Sequence, residues 1–226
     1  MRTALITGAS RGLGLALARE LAGRGWRLVL DARGADALEA ARAELIARTG
    51  VIAIAGDVAD PAHRRALVDA AGPRIDLLVN NASVLGPSPQ PELAAYPLDA
   101  LEAVYRVNVL APLALFQDAL RTLRPGATVL NITSDAAVEA YRGWGGYGSA
   151  KAALEQLSRV LAVEHPDLRI LAVDPGDMNT RMQQDAYPGE DVSDRPPPEA
   201  SVPGLLELIG GEAASGRYLA RELAHA

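Results

Sequence analysis

Short apolar runs rich in Val, Ile and Leu alternate with longer stretches of helical periodicity along the whole chain, and few folds accept that rhythm. The strand-like runs fall at 3–7, 27–32, 51–55, 75–80, 128–133, 169–173 and, more briefly, 217–220. Helical patterns fill 12–24, 35–48, 61–71, 98–123 and 147–164. Strands joined by helical crossovers pair in parallel, and such sheets are covered on both faces. The pattern therefore predicts an α/β fold, a doubly wound parallel sheet of about seven strands with helices on both faces. Asp60-Pro61 has the cap-then-proline form of a helix start. Pro112 is expected to kink the long helix at 98–123.

At 226 residues the chain can bury a sizeable core, and with 49% hydrophobic but only 4% aromatic residues that core is aliphatic. A net charge of −6 without a long basic run argues against nucleic acid or an anionic membrane as partner. The absence of Cys excludes disulfides and Cys-ligated metal. His63, His165 and His225 stand far apart and outside any HExxH pattern, so no metal site is expected. The N-terminus enters a strand without a signal region, and no apolar run is long enough to span a bilayer, so a cytoplasmic protein is expected.

Two stretches break the rhythm. Residues 86–97 carry four Pro, and residues 181–203 carry Pro188, Pro196-Pro197-Pro198 and several acids. Both follow strand ends, where open α/β sheets bind ligands. Regular elements resume after each, so residues 1–226 are read as a single domain with 181–203 as a lid over the substrate.

Between the first strand and the first helix lies Thr7-Gly8-Ala-Ser-Arg-Gly12-Leu-Gly14. Its glycines allow a tight turn and a close approach of ligand to backbone, and it opens a helix N-terminus whose free N–H groups and dipole favour a pyrophosphate. In strand–loop–helix context this is a dinucleotide-binding signal. A second signal is compositional: of the 22 basic residues, Lys151 alone is Lys. It lies four residues after Tyr147, on the same helix face, where an ammonium would lower the pKa of the phenol and make it a usable proton donor.

The glycine loop at 7–14, Asn80-Asn81-Ala82 after the fourth strand and Tyr147-x-x-x-Lys151 after the fifth together resemble the short-chain dehydrogenase/reductase family, in its order and spacing, from Thr7 to about Thr180. The resemblance implies a Rossmann-type sheet and an NAD(P)-dependent enzyme that interconverts a carbonyl and an alcohol. It implies a catalytic tetrad of Asn108, Ser134, Tyr147 and Lys151. Tyr147 would be the acid, Ser134 would hold the substrate oxygen, Lys151 would act on the phenol and the nicotinamide ribose, and Asn108 would hold a relay water. It further implies cofactor contacts from Gly8, Ser10, Arg11, Gly12, Leu13 and Gly14, from Asp57 and Val58 near the adenine, from Asn80 and Ala82, and from Pro175, Gly176 and Thr180 on the carboxamide side. Asn80 and Asn81 also read as scaffold.

Cofactor choice turns on the end of the second strand, Asp31-Ala32-Arg33. The family's NAD-selective acid aligns with Ala32, while Arg33 and Arg11 offer two guanidiniums to a 2′-phosphate. NADP is the expected cofactor, and NAD is the alternative if Asp31 instead reaches the ribose. Trp144, Met178 and Met182 are the expected substrate-pocket residues, suited to a small or medium carbonyl compound. Arg142 and Arg181 are read as solvent-facing, with an anionic substrate as their other use. The tail after Gly216 is shorter than in most of the family, which favours a homodimer through the long helices over a tetramer. A cofactor-sensing regulator and an NAD-dependent alcohol or sugar dehydrogenase are the alternative readings.

Overall fold

The computed structural model describes residues 1–223; residues 224–226, His225 among them, lie outside the described residues. Seven parallel strands form one sheet in the order β3-β2-β1-β4-β5-β6-β7. They are β1 (Thr3–Ile6), β2 (Arg27–Ala32), β3 (Val51–Ala55), β4 (Ile75–Asn80), β5 (Leu123–Ile132), β6 (Arg169–Asp174) and β7 (Gly216–Leu219). From β1 the chain winds outward to β3, then crosses back to β4 on the other side of β1. That reversal opens a crevice beyond the C-terminal ends of β1 and β4.

The central strands bury both faces, because successive side chains point to opposite sides, while the outer β3 and β7 are only partly covered. In β1, Ala4 and Ile6 join Leu17 and Leu21 of α1 (Gly12–Gly23), Leu38 and Leu45 of α2 (Ala35–Leu45), and Leu205 of α8 (Val202–Gly210). Leu5 points the other way, into a core with Leu67 of α3 (Pro61–Ala71) and with Leu115 and Phe116 of α5 (Ala111–Ala119). Asp60 caps α3 by accepting from the Ala62 amide at 2.9 Å, as the sequence predicts.

The expected helix at 98–123 is instead α4 (Leu98–Tyr105), a π-helical turn (Arg106–Leu110) and α5. The Ala111 amide reaches back five residues to the Arg106 carbonyl. Pro112 has no N–H for the Asn108 carbonyl four residues earlier, so an α-helical bond there is impossible. The irregularity is thus a widened turn before the proline. The expected catalytic helix at 147–164 begins two residues earlier, as α6 (Gly145–Glu164). The Pro-rich stretch after β6 contains α7 (Arg181–Ala186) and leads directly into α8. Among the described residues no helix is long and apolar enough to cross a membrane, and no cluster of three or more His, Cys, Asp or Glu side chains is placed to hold a metal ion.

Candidate active site

A cleft of about 1470 Å³ runs over the C-terminal edge of the sheet. Its floor is the glycine loop after β1. Gly8 and Gly12 sit at φ of 66° and 56°, the left-handed region that favours glycine. A Cβ on Gly14 would come within 2.5 Å of the Gly8 carbonyl oxygen, so α1 can begin this close to the loop only with glycine there. No side chain caps α1, whose first N–H groups are left for a ligand. The loop is held from β4. The Thr7 hydroxyl accepts from the amides of Asn81 and Ala82, each at 3.0 Å, and Asn81 Nδ2 donates to the carbonyls of Thr7 and Gly8.

One end of the cleft is built by β2 and the loop after β3. Asp31 is buried there, its Oδ1 2.6 Å from His63 Nε2 of α3. Burial pushes the Asp31 carboxyl up, and the hydrogen bonds from His63 and from the Gly8 amide oppose the rise. Ala32 is buried beside it. Arg11 and Arg33 are exposed on the rim of the cleft, and neither makes an ion pair among the described residues. Asp57 and Val58 line the same end.

The other end is built by β5, β6 and α6. Tyr147 and Lys151 stand one turn apart and are both buried. Lys151 Nζ donates to the Ile132 carbonyl at 2.8 Å and lies 5.5 Å from the centre of the Tyr147 ring. Burial pushes this ammonium down to about 8. Burial also pushes the Tyr147 phenol up; a hydrogen bond with Ser83 opposes that rise, and the charges of Asp174 and Asp135 add to it. The phenol is raised by burial, and Lys151 is not among the groups that oppose the rise, which differs from the expectation that Lys151 lowers it. Ser134 follows β5 in extended backbone, its hydroxyl donating to Asp135 Oδ1 at 2.8 Å and accepting from the Ala136 amide.

The structure brings most of the expected residues to the cleft wall, including Ser134, Tyr147, Lys151, Ser10, Leu13, Ala82, Pro175, Gly176 and Thr180. Three stand behind it. Gly14 is covered by the loop it supports. Asn80 gives its amide to Asn131 Oδ1 at 2.7 Å, within the sheet. Asn108 is wholly buried in the π turn; its Nδ2 donates to the Val84 carbonyl at 2.8 Å, and its Oδ1 accepts from the Val84 amide at 2.9 Å and the Ser83 hydroxyl at 3.2 Å. Each of these side chains, or the lack of one, is committed to the frame.

Aromatic and apolar side chains gather beside Tyr147. Trp144 meets the Tyr147 ring edge-on at 5.8 Å and Tyr187 at 6.0 Å. Met182 and Ala186 of α7 pack with Leu85, Trp144 and Tyr147, while Met178 also touches the main core. The Ser88 hydroxyl donates to the Asp185 carbonyl at 2.6 Å, tying the loop after β4 to α7. Arg142 and Arg181 are exposed and paired with Glu92 and Asp185.

Sequence reasoning missed two groups. Glu155, one turn beyond Lys151, accepts from the Thr133 hydroxyl at 2.8 Å and from Arg217 Nε at 3.0 Å. Arg217 also donates to Asp174 Oδ2 at 3.1 Å and to the Ser134 carbonyl at 3.4 Å, so β7 holds β5, β6 and α6 together under the cleft. Nothing local in the sequence marks this link. Ser83 could have been found, because it directly follows Asn80-Asn81-Ala82.

Residues 2–191 match the family described as short chain dehydrogenase. The chain is 36% identical over 197 residues to sepiapterin reductase of Rattus norvegicus, covering 80% of this chain and 75% of that protein. It is 37% identical over 195 residues to the rhamnolipids biosynthesis 3-oxoacyl-[acyl-carrier-protein] reductase of Pseudomonas aeruginosa, covering 80% and 74%. Among solved structures, an alcohol dehydrogenase from the archaeon Thermococcus sibiricus, complexed with 5-hydroxy-NADP, superposes with a TM-score of 0.87 at 28% identity, covering 97% of this chain and 95% of that one.

Proposed function

The chain belongs to the short chain dehydrogenase family, and as such is an NAD(P)-dependent oxidoreductase; we propose that it uses NADPH to reduce an uncharged ketone or aldehyde of small or medium size. The observation that carries this reading is the Tyr147–Lys151 pair in the same cleft as the uncapped, glycine-lined start of α1.

The residues present fit a dinucleotide. The first N–H groups of α1 would hold the pyrophosphate. Asp57 and Val58 would hold the adenine, and Pro175, Gly176 and Thr180 the carboxamide side of the nicotinamide. Arg11 and Arg33 would take the 2′-phosphate as a bidentate pair. The engagement of Asp31 with His63 supports NADP over NAD, since that carboxylate already has its partner. When bound, the cofactor supplies the hydride.

The chain supplies the proton and its placement. Burial keeps Tyr147 protonated at neutral pH, the resting state required of an acid in reduction. As a C–H bond forms at the carbonyl carbon, the phenolic proton passes to the carbonyl oxygen and leaves a phenolate. Lys151, as the ammonium one turn away, stabilises that charge in a site shielded from water. Ser134 turns its hydroxyl from Asp135 to the substrate oxygen. Asn108 fixes the π turn and the loop at Ser83–Val84 against the catalytic helix.

The Trp144, Tyr187 and Met182 wall favours an apolar substituent beside the reacting carbonyl. Arg142 and Arg181 are already paired with Glu92 and Asp185, which favours an uncharged substrate. We also read the chain as a homodimer. Leu110, Val160 and Val163 are exposed on the neighbouring π turn and α6, an apolar surface that suits a second copy.

The test is oxidation of NADPH and of NADH, followed at their nicotinamide absorbance, against a panel of uncharged and carboxylated ketones and aldehydes. Turnover of uncharged members with NADPH preferred supports the reading. Tight NADPH binding with no turnover of any member would instead make this a cofactor sensor.

A further inference from the structure

Arg217 stands on the edge strand β7, level with Ala172 of β6, and two buried carboxylates meet at its guanidinium. Its Nε donates to Glu155 Oε1 at 3.0 Å. One terminal nitrogen donates to Asp174 Oδ2 at 3.1 Å and to the Ser134 carbonyl at 3.4 Å. Glu155 is 1% exposed, and it also accepts from the Thr133 hydroxyl at 2.8 Å and from Arg159 at 3.3 Å. The other oxygen of Asp174 accepts from the Gly176 amide at 2.8 Å. One cation thus joins α6, the end of β6 and the segment just after β5.

Ser134 is held by this cation along two routes. One is direct, through its own carbonyl. The other passes through Glu155 to Thr133, the residue before it. The same stretch carries a third tie, because Lys151 Nζ donates to the Ile132 carbonyl at 2.8 Å. Three successive residues are therefore latched to α6 and β7. The sheet's own pattern reaches as far as the Thr133 amide, which donates to the Val173 carbonyl at 2.9 Å. The Ser134 hydroxyl bonds to Asp135 and Ala136, the two residues after it, and these move with it. A guanidinium suits the task, since its rigid fork serves several acceptors at once where an ammonium is a point charge.

We propose that Arg217 is a positioning residue for carbonyl reduction: it sets where the Ser134 hydroxyl stands relative to Tyr147 and Lys151, by joining the exit of β5 to Glu155 of the same helix and to Asp174. The inference rests on the reading above, in which Ser134 holds the substrate oxygen. Arg217 lies behind the cleft wall, so it acts through Ser134 and not by touching the substrate. A misplacement of about 1 Å in a group that orients the reacting atoms costs on the order of 10²-fold in rate, so a latch at this distance is enough to govern the step.

The experiment is a double-mutant cycle between Arg217→Met and Ser134→Ala. It is read as the single-turnover rate of NADPH oxidation on one carbonyl compound, with the Kd for NADPH and the melting temperature measured alongside. With Ser134 present, Arg217→Met should lower the rate about tenfold or more. In the Ser134→Ala background the same change should lower it less than about threefold, because the group being positioned is gone. The Kd for NADPH should change less than the rate, since the glycine loop is held from the β4 side. A wild-type rate in folded Arg217→Met overturns the inference. So does an equal fold-loss in the two backgrounds, or a Kd that weakens as much as the rate falls. If Arg217→Met does not fold, Arg217→Lys takes its place in the cycle. That variant keeps a charge beside the carboxylates but not the fork, so its rate should also fall, and fall less without Ser134; a wild-type rate there overturns the inference equally. If wild type reduces no carbonyl, or Ser134→Ala is as fast as wild type, the reading of the site itself falls and takes this inference with it.

Discussion

Asp31 Oδ1 lies 2.6 Å from His63 Nε2, and both side chains are buried between β2 and α3. The Asp31 carbonyl accepts from the Ala9 amide at 2.8 Å, so one residue supports the glycine loop through its backbone and α3 through its side chain. A carboxylate held this way is part of the frame at this end of the cleft. Arg11 and Arg33 stand exposed on the rim of the same end.

Replacing Arg11 and Arg33 together with Ala should raise the Kd for NADPH at least about tenfold, because each charge-assisted hydrogen bond contributes about 1.5–3 kcal/mol. The Kd for NADH should change little. Titration of both cofactors by nicotinamide fluorescence gives the comparison. Equal weakening of the two would remove the arginines from any role in selectivity.

His63→Ala should act on stability and leave cofactor preference alone. It strands a buried carboxylate that has lost its side-chain partner, a change that destabilises by about 1–3 kcal/mol. Urea unfolding measures the loss, and the NADPH to NADH ratio measures the preference. A variant that switches toward NADH would mean that Asp31, once released, reaches the ribose.

Tyr147→Phe removes one oxygen from the apolar cluster with Trp144, Leu85 and Met182 and should preserve its packing. Turnover should fall by about 10²-fold or more, the scale of general acid catalysis, with NADPH binding retained. Comparable rates for the two proteins on the same carbonyl would place the proton donor elsewhere.

Lys151 carries a pH signature. Its pKa is about 8 in the folded chain against an ordinary 10.5, so between those values the unfolded chain binds more protons. Stability linked to Lys151 therefore rises with pH through that window, by at most about 1.4 kcal/mol per unit, and below it burial of the ammonium opposes folding in full. Lys151→Met should be more stable than wild type at pH 7, and the gap should shrink by pH 9.5. Urea titrations of both proteins at the two pH values test this; a gap that stays constant would mean that the ammonium is not held down by burial.

The sheet was legible because its signal is periodic and local. The expected 27–32, 51–55 and 75–80 coincide with β2, β3 and β4, and the glycine loop stands where strand meets helix. The expected 128–133 underestimates β5, because Leu123 pairs with Ile75 across a bulge and Gly126 and the two residues before it carry no strand pattern. Pro203 read as the end of a loop, yet a proline in the first turn of a helix starts α8. The π turn follows from a missing N–H at Pro112, which periodicity does not register. In the site, spacing placed Tyr147 and Lys151 on one face, but the acidity of the phenol depends on how much water the fold removes. Arg217 and Glu155 lie 62 residues apart in sequence, and only the finished sheet brings them together.

That last contact joins distant parts of the sequence. Glu155 sits one turn from Lys151, Asp174 ends β6, and Ser134 lies just after β5, and all three meet the guanidinium of Arg217 on a four-residue edge strand. The whole Tyr147–Lys151 helix precedes Arg217 in the chain. Until β7 is in place, two buried carboxylates under the cleft lack this cation. The Tyr147–Lys151 end of the cleft therefore depends on a strand near the end of the sequence, whereas the glycine loop draws its supports from β1, β2 and the residues just after β4, all in the first half of the chain.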